Sequence, residues 1–199
     1  RITFGAHTAN MAEDGLPGER HIGYYRERAL GGAAMIVVEP IPIHRTAVLT
    51  RGNFRHDDDA VIPAFWRLTN ACRDANPDIV MIHQLYHVGQ HGDADNSFAP
   101  NWSPSGLPSY HDADGSHTMS DVEIVELIDS FVRAAQRAKV AGFDGVELFA
   151  AYHAVIDQFW TPWSNRRTDR WGGAFENRMR FSAMLLGGIR AACGDEFVI

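Results

Sequence analysis

The sequence predicts an α/β fold, the N-terminal half of a (β/α)8 TIM barrel. Three observations predict it. Short apolar runs alternate with helical stripes in the order β-α-β-α-β-α-β-α-β, the pattern of a parallel sheet with right-handed crossovers. The long polar loops all follow strands, as they do where strand-to-helix loops build a barrel's active site. The first strand-to-helix turn, Gly5-Ala6-His7-Thr8-Ala9-Asn10, lacks the G-x-G-x-x-G spacing of a doubly wound nucleotide-binding sheet.

Each element has its own warrant. Residues 2–6 form a short apolar run. Residues 19–30 read as a helix with Ile22, Tyr25 and Ala29 on one face, stopped by Gly31-Gly32. Residues 33–38, Ala-Ala-Met-Ile-Val-Val, read as a strand buried on both faces. Asp57-Asp58-Asp59 predicts a helix N-terminus complementing the dipole, and that helix runs to about Ala75 with Val61, Phe65, Leu68 and Cys72 as its stripe. Asn76-Pro77-Asp78 breaks it, and residues 79–85 are a second buried strand. Residues 86–119 are a long loop, a length that is usually functional in a compact domain. Ser120 and Glu123 fit a capping box for a helix reaching Val140, with Ile124, Ile128, Phe131, Ala135 and Ala138 inward. Gly142 caps it, residues 143–149 form the next strand, and residues 150–174 are a second long loop. A helix over 175–192 and the start of a strand at 197–199 complete the pattern.

Five strands and four helices are about half of a barrel, which needs roughly 250 residues. Residues 1–199 are therefore expected to form one incomplete barrel domain, strands 1 to 5, of a longer protein. The exposed edges of its first and fifth strands would invite association, so a homo-oligomer is expected.

Composition narrows the function. Hydrophobic residues make up 45% and charged residues 22%, which suits a globular core and not a disordered chain. The net charge of −7 argues against nucleic acid as a partner, since phosphate binding needs a basic footprint. No apolar run reaches the ~18 residues of a membrane span, and the first residues carry no secretory pattern. Two cysteines, Cys72 and Cys193, make neither a disulfide framework nor a zinc ribbon, which favours a reducing cytoplasm.

Three segments at strand ends carry candidate chemistry: residues 5–8, residues 83–92 and residues 146–181. In the second, His83, His87 and His91 recur at i, i+4 and i+8. On a helix that spacing would stack three imidazoles for a metal, but the strand before them and Gly89 and Gly92 oppose a helix. Gln84 is different. An amide at a buried strand end donates and accepts at once, and suits a ligand with a neighbouring carbonyl and N–H, such as the pyrimidine edge of a flavin.

The third segment resembles the signature of the old yellow enzyme family of FMN-dependent oxidoreductases. The likeness lies in Gly142-Phe143-Asp144-Gly145-Val146-Glu147, Gln158-Phe159, Pro162, Asn165, Arg167-Thr168-Asp169, Trp171-Gly172-Gly173 and Glu176-Asn177-Arg178-Met179-Arg180-Phe181. Gln84-Leu85-Tyr86-His87-Val88-Gly89 resembles that family's Gln-Leu-x-His-x-Gly, and residues 1–8 and 103–105 resemble two shorter stretches. The likeness covers essentially the whole chain. It implies a (β/α)8 barrel with FMN at its C-terminal mouth. Ala6 and His7 would meet the isoalloxazine through their backbone, Thr8 would hydrogen-bond near flavin O4 and tune its potential, and Gln84 would bind the pyrimidine. With no Cys on the first strand, the flavin is expected to be held non-covalently. NAD(P)H is a further cofactor that the resemblance implies. Longer members of related branches add an iron–sulfur cluster and FAD in a C-terminal region.

The sequence also departs from the family. Enone-reducing members hold the substrate carbonyl with a His-x-x-His or His-x-x-Asn pair at the end of strand four. Those positions are Phe149 and Tyr152 here, and the Tyr that often donates a proton is Ala154. Tyr152 and His153 are then the candidate catalytic groups, since a phenol and an imidazole are the titratable side chains between Glu147 and Asp157. The Arg-rich stretch 166–180 is expected to tie a loop to the barrel. Glu147 is expected to pair with one of its arginines, and Asp144 to close the turn into its strand.

The expected activity is hydride transfer between flavin N5 and a small organic substrate. It would run as methylated-amine oxidation and demethylation, or as NAD(P)H-linked alkene or dienoyl reduction. The alternatives are a non-catalytic half-barrel and a metal-dependent barrel enzyme using His83, His87 and His91.

Overall fold

A computed structural model describes residues 1–47, 53–92, 99–109 and 115–199. Residues 48–52 lie outside the described residues, as do 93–98 and 110–114, which are parts of the long loop expected over 86–119. A parallel sheet runs in the order β1 (Thr3–Phe4), β2 (Met35–Pro42), β3 (Val80–Tyr86), β6 (Gly145–Leu148). A parallel bridge from Gly145 to Val198 adds the beginning of a fifth strand beyond β6. The helices α1 (Glu19–Leu30), α2 (Val61–Ala75), α3 (Asp121–Val140) and α5 (Phe175–Cys193) cover one face. The fold is thus a segment of a (β/α)8 barrel.

Alternation along the strands separates two faces. Ile36, Val38, Met81, Leu85 and Val146 join the helix-side core with Phe65, Leu68, Ile124, Phe131 and Phe181. Gln84 and Glu147, which are register partners, point to the opposite, lumen side. A period of two therefore sends His83 into the helix layer and Gln84 into the lumen.

Most elements follow the sequence pattern, with differences that have physical causes. β1 is two residues long, not five, because it is an edge strand paired only through Thr3 to Met35 and Phe4 to Ile36. β2 continues to Pro42 through a register shift between Val38 and Ile41, which lets Pro40 and Pro42 sit in a strand without breaking the ladder. On α1 the buried face is His21, Tyr25 and Ala29, and Ile22 is only half-buried. The acidic triplet is not the first turn of α2, which begins at Val61. Asp57 and Asp59 instead bind Arg133 and Arg137 of α3 across the helix layer. The capping box of α3 forms as expected: Ser120 Oγ accepts from Glu123 N at 3.3 Å, and Glu123 accepts from Ser120 N at 2.7 Å. These bonds hold the Glu123 carboxyl down at about 2. Two regions expected as loops contain short elements, a parallel pair β4 (Trp102–Ser103) and β5 (His117–Thr118), and a six-residue helix α4 (Val155–Trp160). No helix among the described residues is long and apolar enough to cross a membrane.

Candidate active site at the C-terminal ends of the strands

A cavity of about 280 Å³ opens where β1, β2, β3 and β6 end. Ala6, His7 and Thr8 line it from the turn after β1, Pro40 from β2, and Gln84 and Tyr86 from β3. Val88 and His91 contribute from the next turn, and Phe149, Tyr152 and Ala154 from the segment after β6. The five sequence-selected residues Ala6, His7, Thr8, Gln84 and Tyr152 therefore share one cavity. His153 does not line it. Its ring turns to Asp157, with Nδ1 3.1 Å from the carboxylate.

The turn after β1 is held from behind by a buried carboxylate. Glu39, 2% exposed in β2, accepts from the Ala9 backbone N–H at 2.9 Å. Its other oxygen accepts from the Tyr25 hydroxyl at 3.3 Å and lies 2.9 Å from His21 Nε2. The Glu39 N–H donates in turn to the same Tyr25 oxygen at 2.9 Å. A buried acid persists only when its oxygens are bonded, and here the bonds fix Ala9 beside Thr8. Burial, then the neighbouring Glu39, pushes the Tyr25 phenol far up. The His7 ring packs edge-on to Phe4 and meets the Tyr24 hydroxyl at 2.7 Å. Glu39 escaped the sequence reading, although an acid ending a run of Ile and Val was a visible signal.

Gln84 donates to the Glu147 carboxylate beside it in the lumen. Glu147 therefore pairs with an amide, not with an arginine of the 166–180 stretch. It lies on the open lumen side and is exposed, so it needs no buried cation. Asp144 does more than close a turn: it accepts from the Met81 N–H at 2.7 Å and binds Arg73 of α2.

The three histidines of the second segment are not brought together. His83 stacks on Phe143 at 4.6 Å and packs against Phe65 in the helix layer. His87 accepts from the Gly89 N–H at Nδ1 and meets Thr46 Oγ1 at 2.9 Å through Nε2. His91 Nδ1 meets Ser109 Oγ at 3.0 Å. Burial pushes the imidazoles of His83 and His87 down to about 3. No group of three or more metal-ligating side chains converges among the described residues. This geometry corrects the metal alternative.

The Arg-rich stretch ties a loop down. Arg167 binds Asp169 and donates to the Pro104 and Met119 carbonyls. Arg170 and the Trp171 indole both bind Asp121, the first residue of α3. Buried Asn165 donates to the carbonyls of Phe159 and Trp171, both at 2.8 Å. None of these side chains lines the cavity.

The donor set at the cavity fits a flavin ring. Among the described residues nothing bonds the Thr8 hydroxyl, and only Glu147 bonds the Gln84 amide, which leaves the amide oxygen for a ligand. Apolar walls from Pro40, Val88 and Phe149 flank these polar groups, the usual make-up of a cofactor site.

A parallel barrel whose polar groups converge at the C-terminal strand ends defines a class, the (β/α)8-barrel enzymes that bind their ligands at that mouth. Within that class the chain belongs to the NADH:flavin oxidoreductase / NADH oxidase family, whose signature matches residues 1–199. It is 36% identical over 204 residues to N,N-dimethylglycine/sarcosine dehydrogenase of Chromohalobacter salexigens, covering 100% of this chain and 29% of that protein. It is 36% identical over 205 residues to the probable N-methylproline demethylase of Rhizobium meliloti, again covering 100% of this chain and 29% of that protein. A 2-naphthoyl-CoA reductase solved with 2-naphthoyl-CoA superposes with a TM-score of 0.91 at 29% identity, over 99% of this chain and 32% of that one. The old yellow enzyme homologue from Zymomonas mobilis superposes with a TM-score of 0.88 at 31% identity, over 98% of this chain and 57% of that one. The chain thus spans less than a third of the length of the two curated relatives named here.

Proposed function

We propose that this chain forms the flavin-facing wall of an FMN-dependent oxidoreductase that moves hydride between the cofactor and a small organic molecule. One observation carries the reading: Ala6, His7, Thr8 and Gln84, chosen from the sequence alone, line one cavity at the strand ends. When bound, FMN supplies the two-electron hydride chemistry. The protein's residues do the rest. Gln84 grips the pyrimidine edge, Thr8 donates near O4, and the backbone of Ala6 and His7 lies along the ring. Non-covalent binding is supported within residues 1–199 by the placement of Cys72 and Cys193, which are buried in the helix layer, and burial pushes the Cys72 thiol up to about 11. Two buried, free thiols also support a reducing, cytoplasmic setting. NAD(P)H is the proposed partner in electron exchange.

Tyr152 is the proposed group that holds or moves the proton accompanying hydride transfer, and His153, paired with Asp157 beside it, is the second proposed catalytic residue. The favoured substrate class is an N-methylated amine, oxidised and then demethylated. Phe149 and Ala154 in the cavity wall offer no hydrogen bond to an enone carbonyl, and both named relatives carry N-methyl amino acids in their names. Alkene or dienoyl reduction is the second reading, favoured by the naphthoyl-CoA reductase likeness.

The test is anaerobic mixing of the full-length protein, purified yellow, with N-methylated amino acids and, separately, with NAD(P)H. Loss of flavin absorbance with the amine supports the first reading. Reduction by NAD(P)H alone, reversed by an activated alkene, supports the second. A full-length protein that takes up no FMN overturns both.

A further inference from the structure

We infer that Gln158 is a positioning residue whose buried amide clamps together the two loops walling the cavity and sets the backbone that presents Tyr152. Gln158 lies on α4 and is fully buried. Its Oε1 accepts from the Gln90 N–H at 3.2 Å. Its Nε2 donates to the Val88 carbonyl at 3.1 Å and to the His153 carbonyl. One side chain thus satisfies three backbone groups on two different loops, and both of its N–H donors are used.

The two loops have been shaped around this amide. Gly89 has φ +65, and a Cβ built there would collide with the Gln158 amide, so glycine both permits the turn and leaves the room. On the other side, Tyr152 and His153 sit consecutively in the left-handed region, at φ +61 and +56. Two non-glycine residues in that region are disfavoured and persist only where their surroundings hold them. Three of the bonds at this turn fix its backbone N–H and C=O groups. Ala154 N donates to the Ala151 carbonyl at 3.1 Å, Val155 N donates to the His87 carbonyl at 2.9 Å, and Gln158 takes the His153 carbonyl. Only the last is made by a side chain, and that side chain also reaches Val88 and Gln90 of the facing loop, which the Val155–His87 bond joins through backbone alone. Tyr152 is 77% exposed, so packing does little to hold its ring against the cavity, and its placement follows from the backbone beneath it.

The inference rests on the reading of Tyr152 as the proton-handling residue only for its consequence in the reaction; the clamp stands on geometry. Two measurements keep them apart. Gln158→Met preserves length and removes every hydrogen bond of the amide. In the full-length holoenzyme it should raise amide hydrogen exchange in the peptides spanning 88–90 and 151–155, whatever Tyr152 does. It should also slow the flavin half-reaction about 10- to 100-fold, the cost of a small misplacement at a reacting group, while FMN stays bound. In a Tyr152→Phe background the same change should cost less than 3-fold, because residues acting through one another are non-additive. Gly89→Ala, which presses on the amide from the opposite loop, should reproduce the exchange increase and the non-additivity, and it serves as the reading if Gln158→Met does not fold. Wild-type exchange in both peptides overturns the clamp. Raised exchange with fully additive rate losses overturns the claim that Gln158 acts through Tyr152. If Tyr152→Phe alone reacts at the wild-type rate, the Tyr152 reading fails, and the exchange result still decides the clamp.

Discussion

The Arg-rich stretch over 165–180, a loop that runs into the first turns of α5, and the cavity wall formed by Thr8, Gln84 and Tyr152 are both polar and both follow strand ends. They differ in where their hydrogen bonds go. In the loop almost every polar group is used internally: Asn165 on two carbonyls, Arg170 and Trp171 on Asp121, Arg167 on Asp169 and two further carbonyls. In the wall, among the described residues, the Thr8 hydroxyl and the Gln84 oxygen have no protein partner. The loop was the most specific signature in the sequence, yet it touches no part of the cavity. A long, specific motif can therefore report how a fold is locked, and spare hydrogen-bonding capacity in a concave site reports where a ligand goes.

That contrast breaks in a definite way under mutation. Trp171→Ala empties a fully buried indole site that packs on Phe159 and leaves the Asp121 carboxylate with Arg170 alone. It is expected to cost about 3–5 kcal/mol of stability with no direct effect on flavin affinity in whatever fraction stays folded. Chemical denaturation alongside FMN titration checks this, and a selective loss of FMN affinity would erase the distinction between the regions.

Acid sharpens it next. His83 and His87 are fully buried with folded pKa values pushed down to about 3, below the unfolded value near 6.5. Above pH 6.5 both states are neutral and neither histidine affects stability. Below it the unfolded chain binds protons that the fold refuses, so stability falls as pH drops from 6.5 toward 3. The loss is about 1.4 kcal/mol per pH unit for each histidine. His83→Phe, which keeps the stack on Phe143, should flatten the acid limb of a stability-against-pH curve by about one proton. An unchanged slope would mean that His83 titrates normally.

Smaller effects belong to the wall. Tyr152→Phe is expected to keep FMN bound and to slow the half-reaction at least ~10-fold, since a positioned acid or base contributes ~100- to 10,000-fold when it acts directly. Stopped-flow absorbance reads it, and a wild-type rate would move the proton-handling group elsewhere. Thr8→Ala should leave FMN affinity nearly unchanged and shift only the flavin potential, measured by dye-coupled titration.

The fold was legible in the sequence where the signal was local. Continuous apolar runs marked β2 and β3, and the Ser120–Glu123 pair marked the start of α3 to the residue. The signal failed where structure depends on distant partners. β2 runs on through Glu39 and Pro40 because β3 pairs with it across a register shift, which no window of β2 reveals. α4 is six residues, too short for a helical period to emerge. Asp57 and Asp59 looked like a dipole cap, and their real partners lie 76 and 78 positions away on α3. At the candidate site, motif and strand-end position pointed to Ala6, His7, Thr8 and Gln84, which line one cavity. Glu39 and Gln158 were not singled out for a role, since each acts by bonding backbone that only the folded chain brings near.

The central claim is that the strand-end cavity is the flavin site, and FMN titration of full-length Gln84→Leu against wild type tests it most directly. Leucine keeps the bulk and removes the amide, whose oxygen has no partner among the described residues and is the group proposed to meet the pyrimidine. The account predicts FMN affinity weaker by about 1–3 kcal/mol, with an altered flavin spectrum and an unaltered melting transition of the apoprotein. Unchanged affinity and an unchanged spectrum would contradict it.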